Sequence, residues 1–242
     1  DAGAGVAATG TITVTGPATA AGVINLYIAG QRVQVAVGAT DTATVIAASI
    51  NTAINAATDL PVISTVSVGV VTLTCRWKGA TGNDITVLDS FRGFAGGETL
   101  PTGIALAYAG WANGATNPTL PGNAITAMGD DEYDYVIHPY TDSANLDAFA
   151  IEYNDSVGRW AWSRQVYGHV YSALRGTLSA LTTAGGLRND PHHTLAGIDV
   201  DTPNPSWEYA AAYGGANALG LNVDVARPTQ TLPLTGILTP RA

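Results

Sequence analysis

Asp130-Asp131-Glu132-Tyr133-Asp134-Tyr135-Val136-Ile137-His138-Pro139-Tyr140-Thr141-Asp142 is the stretch at which the chain changes character. Tyr133 to Ile137 is a short run of aromatic and β-branched residues between Gly129 and Pro139, which predicts a buried strand. Pro139 closes it. Asp142 or Ser143 can then cap a helix, because a short oxygen-bearing side chain satisfies the first free backbone N–H groups. That helix is expected from Ser143 to about Val157, with Leu146, Phe149, Ala150 and Tyr153 at i, i+3, i+4 and i+7.

Downstream the alternation continues. A strand is expected over Gln165 to Tyr171, then a helix over Leu174 to Thr183 with a stop at Gly185-Gly186. A third strand covers Thr194 to Ile198, and Pro205 stands where a first-turn proline belongs, ahead of a helix over Trp207 to Leu219. Successive strand–helix units predict a parallel sheet covered on both faces, an α/β unit. The tail after Asn222, with Pro228, Pro233 and Pro240, reads as extended.

Upstream the period is different. Thr11 to Thr15 alternates strictly, with Ile12 and Val14 on one face. Val23 to Ile28 and Gln31 to Val37 flank a tight turn at Ala29-Gly30 and predict a hairpin. Thr42 to Ala57 shifts to helical spacing through Val45, Ile46, Ile50 and Ile54, with the cap expected at Thr40 or Asp41 and the end at Leu60-Pro61. A second hairpin comes next, Val62 to Val68 and Val71 to Trp77, with Gly69-Val70 expected as a type II′ turn. Ile85 to Leu88 and Gly103 to Trp111 complete the strands, separated by the Gly-rich loop Arg92 to Glu98. This part reads as an α+β module, a mostly antiparallel sheet with one long helix packed on it. The Asn/Gly/Pro-rich segment Ala112 to Thr119 marks the boundary, giving expected domains of 1–112 and 113–242, and a short helix over about Leu120 to Met128 leads into the organising strand.

Composition narrows the function. The 242 residues are 46% hydrophobic and 12% charged, well under the usual quarter, so much of the surface is small and weakly polar. The net charge is −9, with 10 Lys+Arg in all, and the pI is about 4.6. Affinity for nucleic acid comes largely from neutralising phosphates, and no basic stripe is present, so no nucleic-acid partner is expected. The single Cys75 excludes an internal disulfide framework and falls on the inward face of a strand, as a buried thiol would. No run of eighteen apolar residues is present, so no membrane insertion is expected. The start, Asp1-Ala2-Gly3-Ala4-Gly5, has no initiator Met and no signal-peptide pattern, and the chain reads as a piece of a longer one.

Several groups invite chemistry. His138, Asp142 and Ser163 or Ser172 are the ingredients of a triad, but no Gly-x-Ser-x-Gly elbow is present, and a strand-end histidine in ordinary hydrogen bonds is the better reading. His192-His193 with Asp190 and Asp199 contains metal-ligand types, yet adjacent strand residues point to opposite faces, and a solvated loop is preferred. Asp130, Asp131, Glu132 and Asp134 lack the spaced oxygens of a calcium loop. Gly93 to Gly97 lacks the residues that turn a glycine loop into a phosphate cradle. Trp160, Trp162, Tyr167 and Tyr171, near Arg159 and Arg164, could stack on bases or sugars, but suit a core or an interface better. No catalytic, cofactor-binding or metal-ligating residue is assigned, and the chain is not expected to be an enzyme.

Five separated stretches carry a resemblance. They are Leu26 to Val37 (Leu-Tyr-Ile-Ala-Gly-Gln-Arg-Val-Gln-Val-Ala-Val), Lys78 to Thr86 (Lys-Gly-Ala-Thr-Gly-Asn-Asp-Ile-Thr), Gln165 to Leu178, Asn204 to Glu208 (Asn-Pro-Ser-Trp-Glu), and Ala226 to Leu234 (Ala-Arg-Pro-Thr-Gln-Thr-Leu-Pro-Leu). In this order they resemble the tail sheath protein of Mu-like contractile bacteriophages and prophages. The resemblance implies a structural subunit that polymerises helically around the tail tube and contracts to drive it through the host envelope. It also implies a subtilisin-like α/β core without a triad, and terminal regions, absent here, that link neighbouring subunits. The implied partners are other sheath subunits, the tail tube protein, the baseplate and the tail terminator, in a virion assembled in the host cytoplasm. This piece alone is expected to be monomeric. The rival expectations are a glycan-binding or adhesive surface module using the β-rich first part, and a hydrolase using the His138 region.

Overall fold

The structure, a computed structural model, describes residues 5–119 and 124–240. The chain divides into two compact units, one ending at Pro118 and the other running from Thr119 to Pro240.

In the first unit, β1 (Ala7–Thr15), β4 (Val62–Ser67), β5 (Val70–Lys78) and β7 (Ala105–Ala112) form an antiparallel sheet of order β4-β5-β1-β7. A second antiparallel sheet has the order β3-β2-β6, from β2 (Gly22–Ile28), β3 (Gln31–Val37) and β6 (Val87–Asp89). The expectation of one sheet is corrected here: period-2 alternation says which residues face inward, but strand pairing is non-local and is not written in the pattern. Helix α1 (Ala43–Ala56) packs against β3 of one sheet and β4, β1 and β5 of the other. Its buried Ile46, Ala47, Ile50 and Ile54 join Ile12, Leu26, Val35 and Leu73 in the core. Cys75 is buried there too.

Two local expectations are also corrected. The cap of α1 is Thr42, whose hydroxyl accepts from Val45 N, while Asp41 bends back to accept from Gly38 N at 2.6 Å. The β4–β5 turn is Val68-Gly69, one residue earlier than expected, with φ of +40° and +81°. Positive φ at both centres defines a type I′ turn, so the glycine is second.

In the second unit, β8 (Tyr135–Ile137), β9 (His169–Arg175) and β10 (His193–Ile198) form a parallel sheet of order β10-β9-β8. The parallel expectation holds, with the strands displaced: β9 begins four residues later than expected, and β8 is a three-residue edge with Ile137 partly exposed rather than a buried strand. Residues 120–123 of the expected short helix lie outside the described residues, and its remainder is the single turn α2 (Thr126–Met128). Helix α3 (Ser143–Glu152) is capped by Asp142, as expected, but stops five residues early. The Asn154 side chain accepts from the backbone N–H of Ser156, Val157 and Gly158, and that local bonding competes with further helix. Helix α4 (Leu178–Gly186) begins later than expected and runs through Gly185, and α5 (Ser206–Val223) comes after β10.

Strand alternation assigns the faces. Val136 and Val170 point toward α3, where Phe149 and Tyr153 complete a core, and Gly197 faces Leu181 of α4. Ile137 and Tyr171 point the other way, against Gly214 of α5, whose missing Cβ lets the helix approach: a Cβ there would lie 2.7 Å from the Ile137 side chain.

Candidate functional site

Ser172 lies mid-strand in β9 and turns its hydroxyl to the neighbouring strand. Its Oγ lies 2.8 Å from His193 Nε2, and the residue is 0% exposed. His138, at the end of β8, stacks on Phe149 at 4.4 Å between ring centroids and tilts against the His193 ring at 5.2 Å. Its Nδ1 accepts from Tyr140 N at 3.3 Å. Asp142 spends its carboxylate on the helix cap, accepting from Asn145 N and from Asn145 Nδ2. Ser163 stands exposed in a turn. The suggested triad therefore does not assemble: the serine near a histidine is Ser172, its histidine is His193, and the hydroxyl is buried on the sheet face that carries Val170.

Both histidines are held neutral. Burial pushes the pKa of His138 down to about 3, and proximity to His193 pushes in the same direction. Burial pushes His193 down to about 4, against the pull of Asp190.

His192 and His193 diverge, as adjacent residues should, but neither is a solvated loop residue. His192 stacks on Trp160 at 4.1 Å and places Nε2 2.9 Å from Asp155 Oδ1. Asp190 accepts from His192 N, and Asp199 accepts from Asp201 N. Among the described residues no group of three or more His, Cys, Asp or Glu side chains could hold a metal ion.

The acidic run is organised by Arg159 and Arg164, which the sequence placed beside the aromatic group and not with the carboxylates. Arg159 is 0% exposed, and donates to the carbonyls of Asp131 and Gly129 at 2.7 Å each and to Glu152 at 3.1 Å. It also lies over the Tyr133 and Tyr153 rings. Arg164 joins Glu152 and Asp130, at 3.1 and 3.0 Å. Gly129 to Asp131 are thus tied to the end of α3, a structural clamp. Its members are separated by about thirty residues in the chain, so no local pattern announces it.

The Gly93 to Gly97 loop carries its own anion. Glu98, buried, accepts from Arg92 N at 2.9 Å and Tyr27 Oη at 2.6 Å, with Arg32 at 3.5 Å. Those bonds hold the Glu98 carboxyl below its usual range although burial works against them. Phe91 packs on Tyr27, so the loop folds over the outer face of β2.

The aromatic group separates. Trp160, Tyr167 and Tyr171 line an open groove of about 530 Å³ with Tyr135 and Tyr213. Trp162 is instead 89% exposed. A second groove, about 570 Å³ and mainly apolar, runs along α5 between Ala211 and Val223 and is bounded by Leu232 and Pro233.

Comparison with known proteins identifies the family. Residues 3–105 match the family model described as the phage tail sheath protein beta-sandwich domain, in keeping with the two sheets of the first unit. Residues 113–242 match that of the phage tail sheath protein central domain. A Mu-like prophage FluMu tail sheath protein from Haemophilus influenzae is 39% identical over 232 residues, covering 96% of this chain and 46% of that protein. The chain thus spans about half the length of the curated relative it matches. A solved structure from Mycobacterium phage Patience aligns with 44% of this chain and 38% of its own at 14% identity, with a TM-score of 0.26. Two family models laid end to end, and a relative matched along nearly the whole chain, place this protein in the phage tail sheath family.

Proposed function

We propose that this chain is the middle of a contractile tail sheath subunit that polymerises helically around a tail tube and shortens to drive the tube through a bacterial envelope. The observation that carries the reading is the match of 39% identity along 96% of the chain to a prophage tail sheath protein. Residues 1–112 act as an outward-facing decoration and residues 113–242 as part of the sheath core, whose parallel α/β arrangement is of subtilisin-like kind without its triad. Its partners are other sheath subunits, the tail tube protein, the baseplate and the tail terminator. It works in the virion tail and assembles in the host cytoplasm.

The physical chemistry supports a mechanical role. A lattice that contracts without nucleotide stores its free energy in subunit interfaces and moves near-rigid bodies between two packings. Clamps such as Arg159–Glu152–Arg164 keep a subunit rigid, and a surface with 12% charged residues favours close subunit packing. A hydrolase is disfavoured because the Ser172 hydroxyl is fully buried.

The test is electron microscopy of the chain expressed in its native full-length context. Hollow, helically striated tubes are expected. Dispersed monomers at every salt concentration would refute the reading, and a glycan-array signal confined to residues before Ala112 would replace it with an adhesive role.

A further inference from the structure

The second unit carries two exposed features that its own fold does not explain. The first is Trp162, which projects from the turn after Arg159 and is 89% exposed. A tryptophan left in water forgoes the burial that makes it the commonest anchor of protein interfaces. Arg164, two residues along the same turn, binds Asp130, the first residue of the acidic run. Asp131, Glu132 and Asp134 there are solvent-exposed.

The second feature is the apolar groove along α5. Ala211, Gly215 and Leu219 form its exposed ridge. Glycine inside a helix costs about 1 kcal/mol relative to alanine. Gly214 and Gly220 have a reason to be glycine, since a Cβ would meet Ile137 and Leu232. Gly215 has none: nothing lies within 4 Å of where its Cβ would be. Arg227 lies on the groove lining, exposed, and among the described residues no carboxylate pairs with its guanidinium.

We propose that these two features are the halves of one contact between copies of this chain, with Trp162 of one copy seated in the α5 groove of the next and Arg227 facing the Asp131–Asp134 carboxylates. The occupant is set by charge and by symmetry. Copies of net charge −9 repel, so they approach where charge is sparse, and Ser206–Val223 carries a single charged residue, Glu208. The acidic run joins the turn of Trp162 through Arg164, and the groove contributes Arg227, which no carboxylate pairs among the described residues, a complementary match. A knob that fits a different patch of the next molecule makes a head-to-tail contact, which propagates into an open helical array rather than closing as a dimer. This inference rests on the sheath reading and assigns it an interface.

The experiment uses the chain in its native full-length context, with the concentration required for tube formation as the readout. Trp162→Ala and Gly215→Leu are each expected to raise it at least about tenfold while the circular dichroism and melting of the dispersed subunit stay unchanged. Mixing Trp162→Cys chains with Leu219→Cys chains and oxidising the tubes is expected to give a disulfide joining two copies. Wild-type tube formation by both packing variants would overturn the interface while leaving the sheath reading intact. So would tubes in which residue 219 is reached only by another part of its own chain. Should Gly215→Leu fail to fold, Trp162→Ala decides alone, since an exposed side chain contributes little to the subunit core. Wild-type protein that never assembles would refute the sheath reading, and the interface with it.

Discussion

Acidification should unfold the second unit selectively, because all four histidines of the chain lie in it and two are buried neutral. His138 is 5% exposed, with Phe149 stacked on one side, the His193 ring on another and Asp142 at the helix cap. His193 is faced by Ser172, His169, Asp190 and Arg188. Their folded pKa values, about 3 and about 4, lie below the unfolded value near 6.5. The stability each contributes is therefore complete above pH 6.5 and is lost as the pH falls toward its folded pKa, because the unfolded chain takes up the proton first. At pH 5 the loss is about 2 kcal/mol per histidine, roughly 4 kcal/mol together. For a unit of this size that lowers the melting temperature by roughly 10–20 °C. Calorimetry between pH 7.5 and 5 provides the assay, with the first unit, which holds no histidine, as the internal reference. His138→Phe, which keeps the stack on Phe149, should remove about 2 kcal/mol of that loss at pH 5 and leave the rest to His193 and to His169, which burial also holds below its usual value. A second-unit transition that moves no more than the first, or a slope unaltered by His138→Phe, would refute the argument.

Three other outcomes rest on particular contacts. Arg159→Ala strands the carbonyls of Gly129 and Asp131 and leaves Glu152 to Arg164 alone, and should destabilise the second unit by about 3–5 kcal/mol in urea titration. Gly168→Ala would put a Cβ 2.2 Å from the Tyr133 carbonyl oxygen, a backbone clash that should cost at least about 3 kcal/mol or abolish soluble expression. Val68→Asn should stabilise the first unit by ~0.5–1 kcal/mol, measured by its melting shift, because a β-branched residue at φ +40° is strained and this side chain, 86% exposed, contributes little packing.

What the sequence by itself determined was everything governed by neighbours along the chain. Alternation in β1, β3 and β5, helical spacing in α1, and the oxygen of Asp142 ahead of α3 are read within one or two turns of backbone, and the structure agrees with them. The succession of strands and helices after Gly129 likewise announced a parallel sheet, because parallel neighbours need a crossover between them. Boundaries failed where a side chain competed with the backbone, as Asn154 does at the end of α3, or where adjacent residues were equally eligible caps, as at Thr42. Only the tertiary structure decided that the first strands split into two sheets, that Ser172 belongs to His193, that Glu98 fills the glycine loop and that Arg159 is buried beneath the acidic run. The physical reason is the same in each case. These are bonds between groups far apart in the chain, formed because a buried charge or hydroxyl must find a partner once water is excluded, and neither the need nor the partner exists until the fold has removed the water.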